Sequence, residues 1–422
     1  MRPKHTSSQP IPKDIQFWKF RAYGFLKNLR FFDPFLILFL RDAGLSFLAI
    51  GGLISFRELM TNILEIPTGV LADAFGRRRA MLLGFGAYLL SFVLFYLGNG
   101  FWIFAAAMAA FALGETFRSG THKAMILEYL RICECEELKV SYYGKTRAAS
   151  QLGSALASLV AAGLVFWTGN YRVVFLATTV PYVLNFLLLA SYPRSLDGAH
   201  VASKLGSWGE IATEFRSAIQ ALWKVLKRPA TLRGLLSGAT FDASFKTTKD
   251  YLQPIIQTQA LALPLLLSWQ AEQRTALLAG FVYFLIYLAT SVASSSAGRV
   301  HGRLRSVERG MNLTFVGGLA LLALSGAAAW LHWEALAIAA FVGVFVLQNL
   351  RRPMVVSYLA DCMEHRAMAS GLSVEVQIRT ILMAGMAPLL GWLADLAGIG
   401  VALFCLSILV VALWPMFRVR AS

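Results

Sequence analysis

Hydrophobic residues gather along the chain in twelve runs separated by short polar segments. Each run approaches the roughly 20 residues that carry a helix across a bilayer. The first six cover Trp18–Leu40, Ala49–Leu71, Ala80–Leu97, Phe101–Lys123, Arg147–Trp167 and Arg172–Tyr192. The second six cover Arg233–Gln257, Ala276–Ala297, Met311–Trp330, Ala335–Tyr358, Met368–Leu393 and Gly400–Met416. This pattern predicts an all-α membrane protein with twelve transmembrane helices in two six-helix bundles. The N-terminal half is expected over 1–193, a linker over 194–230 and the C-terminal half over 231–422.

Two polar stretches stand out. Residues 127–145 read as a loop between the fourth and fifth runs. In the linker, Ser207 and Glu210 form a capping box. Trp208, Ile211, Phe215, Ile219, Leu222 and Leu226 then recur at helical spacing, and Pro229 ends the pattern. An amphipathic helix lying on the cytoplasmic membrane face is expected there.

Composition sharpens the class. Hydrophobic residues make up 57% of the chain and charged residues 15%, well under the roughly 25% charged of a soluble domain. The net charge of +16 does not imply nucleic acid, because the basic residues fall in alternate loops. Arg77 to Arg79, Lys139, Lys145, the linker and Arg299 through Arg309 share the face of the N-terminus. The loops at 98–100 and 397–399 carry no lysine or arginine. Both termini are therefore expected in the cytoplasm of a cell with a bacterial-type inner (plasma) membrane. Residues 1–16 lack an apolar core, so no cleaved signal peptide is expected. Cys133 and Cys135 lie in a cytoplasmic segment where thiols stay reduced, and no metal site is expected.

Between the second and third runs stands Gly69-x-x-x-Asp73-x-x-Gly76-Arg77. Asp73 and Arg77 have the i, i+4 spacing of a helical ion pair. Gly76 permits a tight reversal. The motif in this position resembles the loop signature of the major facilitator superfamily, a class of secondary transporters, and the likeness extends over most of the chain. It implies a gating loop, Gly69, Asp73, Gly76 and Arg77, that latches one half against the other. Ala74 departs from the family, which usually has a basic residue there, so a weaker latch is implied. The three arginines also serve simply to mark the cytoplasmic side. The halves echo each other: Lys27-x-x-Arg30 with Lys246-x-x-Lys249, and Glu115-x-x-Arg118 with Asn349-x-x-Arg352. A pseudo-symmetric, duplicated six-helix unit is expected.

Each ionisable side chain at mid-membrane costs about 2.5–3.5 kcal/mol on insertion scales. Such groups must face water, a ligand or each other. The resemblance implies that helices one, four, seven and ten line a central cavity, where most of the charges fall. One expectation is ion pairing: Arg30 with Asp33, Arg57 or Arg118 with a nearby carboxylate, Glu375 with Arg379. The other is a titrating carboxylate that couples transport to protons, with Asp33 foremost, then Glu58, Glu115, Asp242 and Asp250. Lys27, Arg30, Arg118, Lys246, Lys249, Asn349 and Arg352 are the substrate-binding candidates. A site rich in cations suits an anion.

The sequence thus points to a proton-coupled transporter of a small polar, anionic solute in the lipid bilayer, acting as a monomer. Drug efflux is an alternative. The fifth run lacks the proline of drug antiporters, yet Glu65-Ile-Pro67-Thr-Gly69 and Arg118-Ser-Gly120-Thr resemble bacterial efflux proteins. A non-transporting receptor is the alternative outside that class. Enzyme activity and cofactors are not expected. Gly144-Lys145-Thr146 has Lys139 where a phosphate-binding loop needs its first glycine, and neither HExxH nor GxSxG occurs.

Overall fold

A computed structural model describes residues 14–197, 229–264, 267–303, 306–363 and 368–420, together with Thr213 and Arg216. Among them the regular structure is entirely helical. In hydrocarbon every backbone N–H and C=O needs an internal partner, and a helix supplies these within one segment. The first half comprises α1 (Ile15–Lys27), α2 (Leu36–Asp42), α3 (Phe47–Phe75), α4 (Arg77–Leu97), α5 (Phe101–Arg118), α6 (Thr121–Ile132), α7 (Lys139–Thr168) and α8 (Val173–Ala190). The second comprises α9 (Pro229–Thr248), α10 (Leu252–Ala262), α11 (Ala271–Arg303), α12 (Val307–Trp330), α13 (Glu334–Cys362), α14 (Met368–Ala397) and α15 (Ile399–Phe417). Side-chain caps start three of them: Asp14 accepts from Phe17 N, Ser46 from Ala49 N and Ser306 from Arg309 N.

Among the described residues ten helical stretches are long and apolar enough to cross a membrane, α5 and α6 counting together. The first and seventh expected spans are not among them, because each is broken. Span one parts between Lys27 and Leu36, and span seven turns through a 3₁₀ segment at Lys249–Tyr251. The causes are local. Asn28 folds back to donate to Gly24 O at 2.6 Å, and Pro34 has no N–H to continue a helix. Pro254 sits in the first turn of α10, where it is tolerated but cannot bond back into α9. Both breaks fall beside the basic pairs Lys27/Arg30 and Lys246/Lys249, so the echo between the halves extends to backbone shape.

Two further boundaries correct the sequence reading. The 127–145 loop is largely helical, since α6 runs to Ile132 and α7 starts at Lys139. Met125, Ile126, Tyr129 and Leu130 give α6 a buried face that its charges concealed. Pro229 opens α9. The amphipathic helix expected in the linker lies outside the described residues, apart from helical Thr213 and Arg216.

The halves meet where α3 packs along α14 and α7 along α11. Small residues allow the backbones to approach. A Cβ on Gly51 would strike the carbonyl of Ala387, and one on Gly391 the carbonyl of Phe47. Gly391→Leu should therefore lower the unfolding free energy by about 1–3 kcal/mol, measured by thermal unfolding in detergent. An unchanged midpoint would show that the interface yields freely.

Polar bonds fasten the halves on the face away from the chain termini. Asp395 accepts from Phe47 N at 2.9 Å and Leu48 N at 2.8 Å, covering the start of α3. Gln273 donates to Phe166 O at 2.9 Å. Fully buried Gln253 reaches from α10 into the break in span one, where it accepts from Ile37 N and donates to Asp33 O, both at 2.8 Å. On the opposite face, α5 and α6 share no extended packing with α13 among the described residues. Among the described residues the halves are thus bonded on one face, and α5 and α6 stand apart from α13 on the other.

Candidate functional site

A cavity of about 510 Å³ lies between the halves. The break in span one presents Lys27, Arg30 and Asp33; α3 adds Arg57, Glu58 and Glu65; α5 adds Glu115 and Arg118. From the other half come Lys246, Lys249, Asp250 and Arg379. Charged side chains collect here because the alternative, facing lipid, costs kilocalories for each. Seven of these are cationic and five acidic, so the surface is closer to balanced than the sequence reading expected.

Arg57 and Arg118 pair with nearby carboxylates as expected, Glu58 and Glu115, but the other expected pairings differ. Arg30 bonds Glu115 at 2.5 Å, not Asp33, and its Nε donates to Tyr182 OH at 3.2 Å. Arg118 bonds the second Glu115 oxygen and donates from Nε to Tyr88 OH at 3.1 Å. One carboxylate thus serves two guanidinium groups, both set by tyrosine hydroxyls. Glu375 pairs with Arg352, not Arg379, and Arg379 pairs with Asp242 at 3.1 Å. The i, i+4 spacing of Glu375 and Arg379 lost to partners on neighbouring helices. Across the interface Lys246 lies 4.0 Å from Glu58, which also pairs with Arg57 at 3.1 Å. Lys249 bonds Asp250 at 2.8 Å.

Two candidates stand apart. Among the described residues, neither the Lys27 ammonium nor the Asp33 carboxylate has a hydrogen-bond or ion-pair partner, and both line the cavity. Three other candidates do not line it. Asp242 is buried between Arg379 and Gln348, whose Nε2 donates to it at 2.6 Å. Asn349 donates to Phe345 O, one turn back on its own helix. Arg352 points to Glu375. Sequence reasoning treated Arg57 and Arg379 only as members of ion pairs, although both line the cavity. Gln253 reads in sequence only as one of the polar residues of the seventh span, since an amide gives no sequence signal of the backbone bonds it makes.

The loop after α3 sits within its own half. Gly76 has φ +96°, a conformation that favours glycine, and separates α3 from α4. Asp197 accepts from Arg78 N at 2.7 Å, capping α4. Arg78 donates to Ala190 O and Tyr192 O at the end of α8. Arg77 approaches Glu128 of α6 at 4.0 Å. Gly69 is exposed with open space around it, and the backbone of Asp73 lies in α3. Among the described residues no group of three His, Cys, Asp or Glu is placed to hold a metal ion.

A sequence profile of the Major Facilitator Superfamily matches residues 28–374. No curated protein matches the chain by sequence. Among solved structures, a mutant of the nucleoside transporter NupG superposes with a TM-score of 0.77 at 10% identity, covering 95% of this chain and 98% of that one. NupG itself gives 0.74 at 11% identity, covering 96% and 98%. A POT family transporter in complex with 5-aminolevulinic acid gives 0.64 at 13% identity, covering 95% of each chain. At these identities the likeness is one of fold.

Proposed function

The chain belongs to the major facilitator superfamily, and on that premise we propose that it is a secondary active carrier of a small polar solute bearing an anionic group, coupled to protons. The observation that carries this reading is the pair of unpartnered charges, Lys27 and Asp33, flanking one unwound segment of the cavity wall. Lys27 offers a charge-assisted bond to an anion. Asp33 is a carboxylate free to exchange a proton with the cavity. The solved structures with this fold include a nucleoside transporter and a transporter holding 5-aminolevulinic acid, which favours polar organic cargo.

Transport by this reading is alternating access. Solute enters from the face carrying the termini and meets Lys27 and Arg118. Closing that face brings α5 and α6 toward α13 and engages the Gly69–Arg77 loop, with Asp73, as a latch between the halves. The opposite face then opens as Gln253 and Asp395 release their backbone partners. The Glu58–Lys246 pair crosses the interface near the middle and serves as a pivot contact. We place the protein in the inner (plasma) membrane as a monomer with both termini cytoplasmic, by the distribution of lysine and arginine.

A ligand screen on the purified protein tests this reading. A ligand at 100 times its dissociation constant adds about 2.7 kcal/mol to the folded state. Small organic and inorganic anions should raise the thermal midpoint, and Lys27→Gln should remove the rise. Stabilisation only by lipophilic cations would replace this reading with drug efflux.

A further inference from the structure

Beside the central cavity lies a second, open chamber of about 560 Å³, lined mainly by α1, α6 and α7 of the first half. The two share Lys27, Asn28 and Arg118 as common wall. We propose that this side chamber is the subsite that takes the solute's carboxylate or phosphate group, while the rest of the solute occupies the central cavity. The proposal rests on the reading of the chain as a carrier of anions, and it moves the anion out of the cavity where that reading first places it.

Charge separates the two spaces. The central cavity carries five carboxylates. The side chamber has none among its lining residues, which include Lys27, Lys123, Arg118 and Arg147. An anion in the central cavity would compete with Glu115, Glu58 and Asp250 for the cations, whereas in the chamber only Arg118 is already committed, to Glu115 on its far side. A recess lined by one sign of charge also concentrates the opposite ion.

The backbone adds a second attraction. Span four breaks at Ser119–Gly120, and α6, twelve residues long, begins at the chamber wall. Its N-cap is Gly120, with φ +76°, which has no side chain to cover the N–H groups of the first turn. Such a helix start favours negative charge. Tyr23 also lines the chamber and is only 4% exposed. The ring is held rigidly, stacked on His122 with centroids 3.6 Å apart.

The test is equilibrium binding of phenyl phosphate to the full-length protein in phosphatidylcholine nanodiscs. Lys123→Gln combined with Arg147→Gln should weaken binding about tenfold, which is about 1.4 kcal/mol. Lys123 and Arg147 are exposed, so these variants should fold normally, and Arg309→Gln controls for net charge. Loss of binding in Lys246→Gln with the Lys123/Arg147 variant unaffected would overturn the proposal and leave the anion reading standing. Absence of phenyl phosphate, inorganic phosphate and benzoate binding to the unaltered protein would remove the anion reading itself. If the chamber variants change retention of phosphatidylglycerol and not phenyl phosphate binding, a lipid headgroup is the occupant and the proposal fails.

Discussion

Glu115→Gln should destabilise the protein by about 3 kcal/mol, the low end of what breaking a buried charge network costs. Glu115 bonds both Arg30 and Arg118. Without its charge two guanidinium groups face each other in one small space, each already desolvated. The three side chains are about 20% exposed to the cavity, and that contact with water holds the figure at the low end. Unfolding in detergent, followed by intrinsic tryptophan fluorescence, measures the effect. Glu115→Asp, which keeps the charge, should lose less. The double variant Arg30→Gln/Glu115→Gln should recover part of the loss, because it removes one of the two stranded cations. A change below about 1 kcal/mol would mean that cavity water alone satisfies both arginines.

Asp33→Asn should abolish proton-driven transport and spare exchange. Across a membrane one pH unit stores about 1.4 kcal/mol per proton, enough for about a tenfold solute gradient at one proton per solute. Proteoliposomes carrying the unaltered protein should build such a gradient after a pH step, and those carrying the variant should reach only equal concentrations on both sides. Exchange of labelled for unlabelled solute should persist in both, because the asparagine keeps the size of the side chain and Gln253 holds residue 33 by its carbonyl. The charged groups around Asp33 include Lys27, Arg30, Arg57, Lys249 and Asp250. A variant that still concentrates solute fully would transfer the coupling role to another cavity carboxylate, with Glu58 and Asp250 next in line.

The helices were legible because the bilayer forces long apolar runs on any chain that crosses it. The run at Ala80–Leu97 became α4 and that at Gly400–Met416 became α15, with shifts of a few residues at their starts. The breaks in spans one and seven were half legible. The sequence carries Pro34 and Pro254 at the breaks, but an average over an apolar run hides an interruption of a few residues. Lys27, Arg30, Asp33, Glu58, Glu115, Arg118, Lys246, Lys249 and Asp250 do meet in one cavity, as the cost of charge in hydrocarbon demands. The same cost cannot tell a cavity from a buried partner, and so Asp242 and Arg352 were taken for lining residues when each had a neighbour to neutralise it. The pairings were illegible for a related reason. Arg30–Glu115, Lys246–Glu58, Arg352–Glu375 and Arg379–Asp242 join separate helices, and spacing along one helix is silent about them.

The contact made by Gln253 has a consequence for how this protein can vary. Both its partners, Ile37 N and Asp33 O, are main-chain atoms. Any residue at position 33 offers the carbonyl, and any residue but proline at position 37 offers the N–H. The bond between the halves is therefore indifferent to the side chains on the far side of it. Substitutions in the unwound segment can retune cargo without disturbing the gate, and position 253 needs no compensating partner when they occur. Correlated changes between columns of related sequences, the usual trace of a contact, would leave this one unmarked.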